Sequence, residues 1–121
     1  MLVEDHADTV RSLAKLLELS NHVVTTAGSA GDAMQAVERQ TFDVMISDLG
    51  LPDGSGYDVM RFVRDRQPIF GIAISGFGME EDLQRSRDAG FSEHLTKPIE
   101  FRKLLEVLQR LGQPLQFARQ A

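Results

Sequence analysis

The residues in this chain best suited to share a piece of chemistry are two adjacent acids, Glu4 and Asp5, a lone Asp48, the hydroxyl of Ser75 and the amine of Lys97. Each stands just after a short apolar run. Asp48 lies in V-M-I-S-D-L-G-L-P-D-G-S-G, residues 44–56, where an apolar run enters and a turn-rich segment leaves. An aspartate there has a plain structural use, bonding with the turn it starts. Its chemical use requires company. Three carboxylates in one crevice repel one another and need a cation. Hard, oxygen-seeking Mg²⁺ suits them, because it takes few protein ligands, keeps several waters and leaves room for a phosphoryl group. A lysine on the opposite wall adds a mobile positive charge, and a serine offers a hydroxyl to a phosphate oxygen.

Whether these residues meet depends on the elements that carry them. Met1–Val3 reads as a short strand, which suggests that residues upstream are missing or that the domain was cut from a longer polypeptide. From Ala7 to Leu19, Val10, Leu13, Ala14 and Leu17 recur at helical spacing. Asn21 and His22 end that helix. Val23–Ala27 is a β-branched strand, and Ser29 with Asp32 three residues later starts a second helix whose packing stripe is Ala33, Ala36 and Val37. Asp43–Ser47 and Ile69–Ile74 are apolar without alternation, as strands are when helices cover both faces. Between them Tyr57–Arg66 is a helix with Val59, Phe62 and Val63 inward, closed by Pro68. Met79–Asp88 is a helix with acids first (Glu80, Glu81, Asp82) and bases later (Arg85, Arg87), in the order its dipole favours. Its stripe, Met79 and Leu83 with Ala89 beyond, is thin, which makes it the helix readiest to move. Phe91–Thr96 is the last strand, and Phe101, Leu104, Leu105 and Leu108 face inward from the last helix. Residues 1–111 form one domain and 112–121, with Gly112 and Pro114, a flexible tail.

Five strands alternating with five helices give an α/β, doubly wound, three-layer (βα)5 sandwich around a parallel sheet. Its strand tips then share one edge. In the order 2-1-3-4-5 the reversal falls between the first and third strands, which brings Glu4, Asp5 and Asp48 into one crevice.

Composition limits the partners. The net charge of −5 disfavours nucleic acid, whose backbone demands a basic surface, and suits a cation or a basic partner. No apolar run is long enough to span a bilayer, so membrane contact by this domain is not expected. With no cysteine, thiolate metal sites and disulfides are excluded and a cytoplasmic setting is expected.

The E-D near the start, Asp48 before L-P-D-G-S-G, the S-G of Ser75 and Gly76 and the K-P of Lys97 and Pro98 together resemble the receiver domain of two-component response regulators. The resemblance covers residues 1–111. G-I-A-I-S-G-F-G-M-E-E-D and A-G-F-S-E-H-L-T-K-P-I are similar to receivers of hybrid histidine kinases. It implies a flavodoxin-like fold in which Asp48 takes a phosphoryl group from a histidine kinase phosphohistidine. Glu4, Asp5, Asp48 and the Gly50 carbonyl would hold Mg²⁺, with Mn²⁺ as a substitute. Lys97 and Ser75 would meet the phosphoryl oxygens, and a cis peptide before Pro98 would aim the amine. His94, where the family commonly has Tyr or Phe, would swing inward with Ser75 as a switch. The implied partners are the kinase, a downstream phosphotransfer domain and a second copy in a phosphorylation-dependent homodimer. His6 and His22 read as surface residues. Phe77 and Gly50 depart from the family at positions that could screen the phosphoryl group from water.

Three other readings stay open. One is a single-domain response regulator. Another is a pseudo-receiver used only for protein interaction, although such modules tend to lose the acceptor or the acidic pair. The third is an Asp-nucleophile phosphatase, which needs a second acid at position 50, where this chain has glycine.

Overall fold

Strand residues alternate between two apolar layers, and that alternation decides the architecture. The computed structural model describes residues 1–76 and 80–120, with 80–82 and 111–120 described by backbone alone. Five parallel strands, β1 (Leu2–Val3), β2 (Thr26–Ala27), β3 (Val44–Asp48), β4 (Phe70–Ser75) and β5 (Glu93–Thr96), stand in the order β2-β1-β3-β4-β5. Between and after them run α1 (Ala7–Leu19), α2 (Ala30–Arg39), α3 (Gly56–Arg64), α4 (Glu80–Ala89) and α5 (Phe101–Gln120). Val3, Met45 and Ala73 point to one layer with Ala33 and Val37 of α2, Val59 and Val63 of α3 and Ala89 of α4. Leu2, Ile46, Ile72 and Ile74 point to the other, with Leu13 and Leu17 of α1 and Leu104 and Leu108 of α5. The result is the expected doubly wound, three-layer fold. Among the described residues no helix is long and apolar enough to cross a membrane.

Local chemistry sets the element ends. Ser29 accepts from the Asp32 N–H at 3.1 Å and Ser55 from the Asp58 N–H at 3.3 Å, capping α2 and α3. Asn21 closes α1 with φ of 71°, a left-handed conformation that asparagine tolerates.

Two boundaries differ from the sequence reading. β2 is only Thr26–Ala27, and Val23 is 98% exposed, because β1 offers a ladder only through Leu2 and Val3. The backbone of α5 continues through Gly112 and Pro114 to Gln120, past the point read as the start of a tail. Pro114 removes one helical hydrogen bond, while the Leu, Gln, Ala and Arg residues beside it are strong or adequate helix formers. Phe77, Gly78 and Met79 lie outside the described residues.

Candidate functional site

β1, β3, β4 and β5 all end on the edge where the sheet order reverses, and their last residues determine what that edge can do. Glu4 leaves β1 nearly buried, with 3% of its side chain exposed, while Asp5 beside it faces solvent. Asp48 ends β3 with 10% of its side chain exposed. Its Oδ1 accepts from the Gly50 N–H at 3.1 Å and its Oδ2 from Lys97 Nζ at 2.7 Å. The same amine stands 3.8 Å from Glu4 Oε2. Lys97 is held by its own backbone, whose N–H donates to the Ser75 carbonyl at 2.8 Å. The Lys97–Pro98 peptide is cis. Glu4, Asp5, His6 and Asp48 each offer a ligand atom within 4.8 Å of the others.

Burial and neighbours set the charges. Burial raises the Asp48 pKa, but the Lys97 amine, the Gly50 N–H and Glu4 outweigh it, so the carboxyl titrates below its ordinary value. Burial lowers Lys97, but the bond to Asp48 and the charges of Asp48, Glu4 and Asp5 leave it above the usual lysine value. Glu4 is raised, by burial first and then by Asp48, against the opposing hydrogen bonds from His6. Asp48 is therefore an anion at neutral pH with a cation on one oxygen.

Replacing Glu4 by glutamine is expected to stabilise the metal-free protein. A carboxyl raised in the folded state favours folding below its unfolded pKa and loses that contribution as pH rises through the folded value, so at pH 7 its charge works against the fold. Urea unfolding of Glu4→Gln should show a higher midpoint without metal and a smaller rise on adding Mg²⁺. A lower midpoint without metal would contradict this.

The loop between Asp48 and α3 is held from both ends. Gly50–Leu51 and Gly54–Ser55 form a small antiparallel hairpin. At its tip the Asp53 carboxylate accepts from the Ala30 N–H at 2.7 Å and the Gly31 N–H at 3.0 Å, fastening the loop to the start of α2. These two bonds hold the Asp53 carboxyl below its usual value. Sequence reasoning missed this clasp because its partners are 22 and 23 residues away. Only the P-D-G turn was visible.

Ser75 is buried at the end of β4, one residue beyond Ile74, the register partner of Asp48. His94 pairs with Ala73 across β4 and β5, which puts its ring on the face that Ser75 shares. The half-buried ring stands with Nε2 2.8 Å from Ser75 Oγ and Nδ1 2.7 Å from Ser86 Oγ of α4. The two serines thus hold the ring through both of its nitrogens. His6, read as a surface residue, is exposed but bonded to Glu4, with Nδ1 2.8 Å from Oε1. His22 is exposed and lies at the other end of the strands, beside Met1 and Val23.

Sheet order and switch-point charge agree with the resemblance to receiver domains of two-component signalling. A family model described as the response regulator receiver domain matches residues 1–109, and the chain belongs to that family. An uncharacterized 14.6 kDa protein of Leptolyngbya boryana is 30% identical over 113 residues, which cover 91% of this chain and 86% of that protein. Probable histidine kinase 2 of Oryza sativa subsp. indica is 31% identical over 89% of this chain, which spans only 12% of the kinase. A CheY-like receiver domain protein from Methanospirillum hungatei superposes with a TM-score of 0.88 at 26% identity, covering 95% of this chain and 94% of that one. A Burkholderia pseudomallei response regulator with a phosphorylated aspartic acid, calcium ion and citrate superposes at 0.84 and 22% identity, over 98% of this chain and 70% of that one. That second likeness is one of fold.

Proposed function

We propose that this receiver accepts a phosphoryl group from a kinase phosphohistidine onto Asp48, in a reaction that depends on Mg²⁺. The observation that carries the reading is the 2.7 Å contact of Lys97 Nζ with Asp48 Oδ2 in an otherwise acidic crevice. In the transfer, a carboxylate oxygen of Asp48 attacks phosphorus while the phosphorus–nitrogen bond breaks and its electron pair stays on the donor imidazole. Little covalent chemistry is asked of the protein, which positions groups and offsets charge. Lys97 faces the oxygens that gain charge, the Gly50 N–H orients the nucleophile, and the Ser75 hydroxyl donates to a phosphoryl oxygen.

The carboxylates of Glu4, Asp5 and Asp48, which lie within 4.8 Å of one another, fit Mg²⁺ or Mn²⁺ and would hold it together with the Gly50 carbonyl. The ion supplies neutralisation of phosphoryl charge when bound.

The receiver belongs, in this reading, to a cytoplasmic part of a hybrid histidine kinase and passes its phosphoryl group to a phosphotransfer domain. Histidine kinases among the relatives support this, as do 31% identity to the rice kinase and 26% to a hybrid kinase of Dictyostelium discoideum. A single-domain regulator is supported by the Leptolyngbya relative, 86% of whose length is matched. A phosphorylation-dependent homodimer has a fold-level parallel in a neighbour described as a beryllofluoride-activated receiver domain dimer.

The test is incubation with acetyl phosphate and Mg²⁺ followed by peptide mass spectrometry. The expected result is an adduct on Asp48 that disappears in Asp48→Ala and in the presence of chelator. A chain that never takes up phosphate is an interaction module, and one that turns over phosphate esters many times is a phosphatase.

A further inference from the structure

Ser75, His94 and Ser86 form a continuous hydrogen-bonded chain from the acidic edge to α4. Its links are 2.8 Å at Nε2 and 2.7 Å at Nδ1. Both serines are buried, at 7% and 2% exposure. Ser86 occupies an inward position that, on a helix with so few apolar residues, would ordinarily be filled by one. A neutral imidazole has one donor nitrogen and one acceptor nitrogen. The two links therefore have opposite sense: when Ser75 donates to Nε2, Nδ1 donates to Ser86, and when Nε2 donates to Ser75, Ser86 donates to Nδ1.

We propose that Ser86 is the receiving end of a relay in which the phosphoryl group on Asp48 sets the tautomer of His94 and, through it, the direction of the Ser86 hydroxyl on α4. The proposal rests on the phosphoacceptor reading of Asp48. A hydroxyl has a single hydrogen, and an anionic phosphoryl oxygen is a stronger acceptor than a neutral ring nitrogen. When Ser75 gives its hydrogen to that oxygen, it can stay bonded to His94 only as an acceptor, so Nε2 carries the single proton of the neutral ring. Nδ1 is then bare and draws the hydrogen of Ser86. His94 loses a proton at Nδ1 and gains one at Nε2, both serines keep theirs, and no net charge is taken up. A cleft of about 180 Å³ between α4 and β5, lined by Leu83, Ser86, Arg87, Glu93 and His94 among others, brings solvent to the ring for that exchange. The consequence falls on α4: a buried helical serine that gives its hydrogen to the ring withdraws it from other acceptors, including the carbonyl one turn earlier to which helical serines commonly bond.

The experiment is long-range ¹H–¹⁵N correlation of the histidine rings in the full chain, before and after beryllofluoride with Mg²⁺. His22, at the far end of the strands, serves as the reference. His94 should shift toward the Nε2–H tautomer, with Nδ1 moving to the unprotonated range. In Ser86→Ala the amide shifts that beryllofluoride induces in residues 83–89 should fall to less than about half of wild type, while that of Gly50 persists. Ser86→Thr, which keeps the hydroxyl, should restore them. An unchanged tautomer alongside a shifted Gly50 amide overturns the relay alone, as does a wild-type α4 response in Ser86→Ala. If the Gly50 amide does not respond in the wild-type protein, the phosphoacceptor reading falls and the relay with it.

Discussion

Lys97→Ala is expected to slow phosphoryl uptake by Asp48 from acetyl phosphate by about 10²–10³-fold, the scale on which a preorganised charge at a developing anion acts. The amine sits 2.7 Å from Asp48 Oδ2 and is the cation that the structure gives this carboxylate. Its position comes from the fold, through the backbone bond to the Ser75 carbonyl at 2.8 Å. Lys97→Arg should recover little, because a planar guanidinium cannot occupy the place of a compact ammonium. The pair also sets the pH range. Asp48, lowered, contributes stability above its unfolded pKa and loses it as pH falls through the folded value. Lys97, raised, contributes below its unfolded pKa and loses it as pH climbs through a folded value above the ordinary lysine range. Neither group titrates near neutrality, so the wild-type rate should be flat from about pH 6 to 9 as far as these two are concerned. The measurement is adduct fraction against time by intact mass. A loss of less than about threefold in Lys97→Ala would remove the lysine from the mechanism.

Gly56→Ala carries the largest expected cost to the fold. Gly56 opens α3 directly behind the acceptor, and a Cβ there would stand 2.6 Å from the Asp48 carbonyl oxygen, 3.0 Å from Ser47 Oγ and 3.1 Å from Leu49 Cα. Two of these obstacles are backbone and cannot rotate away. The Gly56 N–H also donates to the Leu49 carbonyl at 3.0 Å, so α3 cannot retreat without losing that bond. Overpacking of this kind costs about 3 kcal/mol, the upper end of its usual range. Urea unfolding should show the midpoint lowered with the slope unchanged, and phosphoryl uptake should fall as well because the strained atoms adjoin Asp48. A variant within about 0.5 kcal/mol of wild type would mean that the β3–α3 junction yields easily.

Several elements were legible because their signal is local. The apolar spacing in residues 7–19 gave α1 its observed bounds, Ala7–Leu19. Ser29 and Asp32, three apart, gave the α2 cap that the structure contains. The uninterrupted apolar runs of β3 and β4 gave strands buried on both faces, and Met45 and Ile46 do point to opposite layers. Where pairing decides, local signal failed. Val23 and Val24 have every strand propensity yet lie outside β2, because β1 offers register partners only to Thr26 and Ala27. The helical backbone of α5 runs to Gln120, across Gly112 and Pro114, since one weak residue and one lost bond do not end a helix whose neighbours favour it.

By itself the sequence determined the alternation of strands and helices, the charge balance and the residue types at four strand tips, because those follow from side-chain chemistry and short-range periodicity. The tertiary structure alone decided which of those tips touch. Lys97 meets Asp48 across 49 residues, and Asp53 holds α2 across 23. His94 finds Ser86 through the packing of α4 on β5 rather than through any spacing along the chain. A hydrogen bond needs its partners within about 3 Å, and only the winding of the sheet brings residues so distant in the chain to that separation.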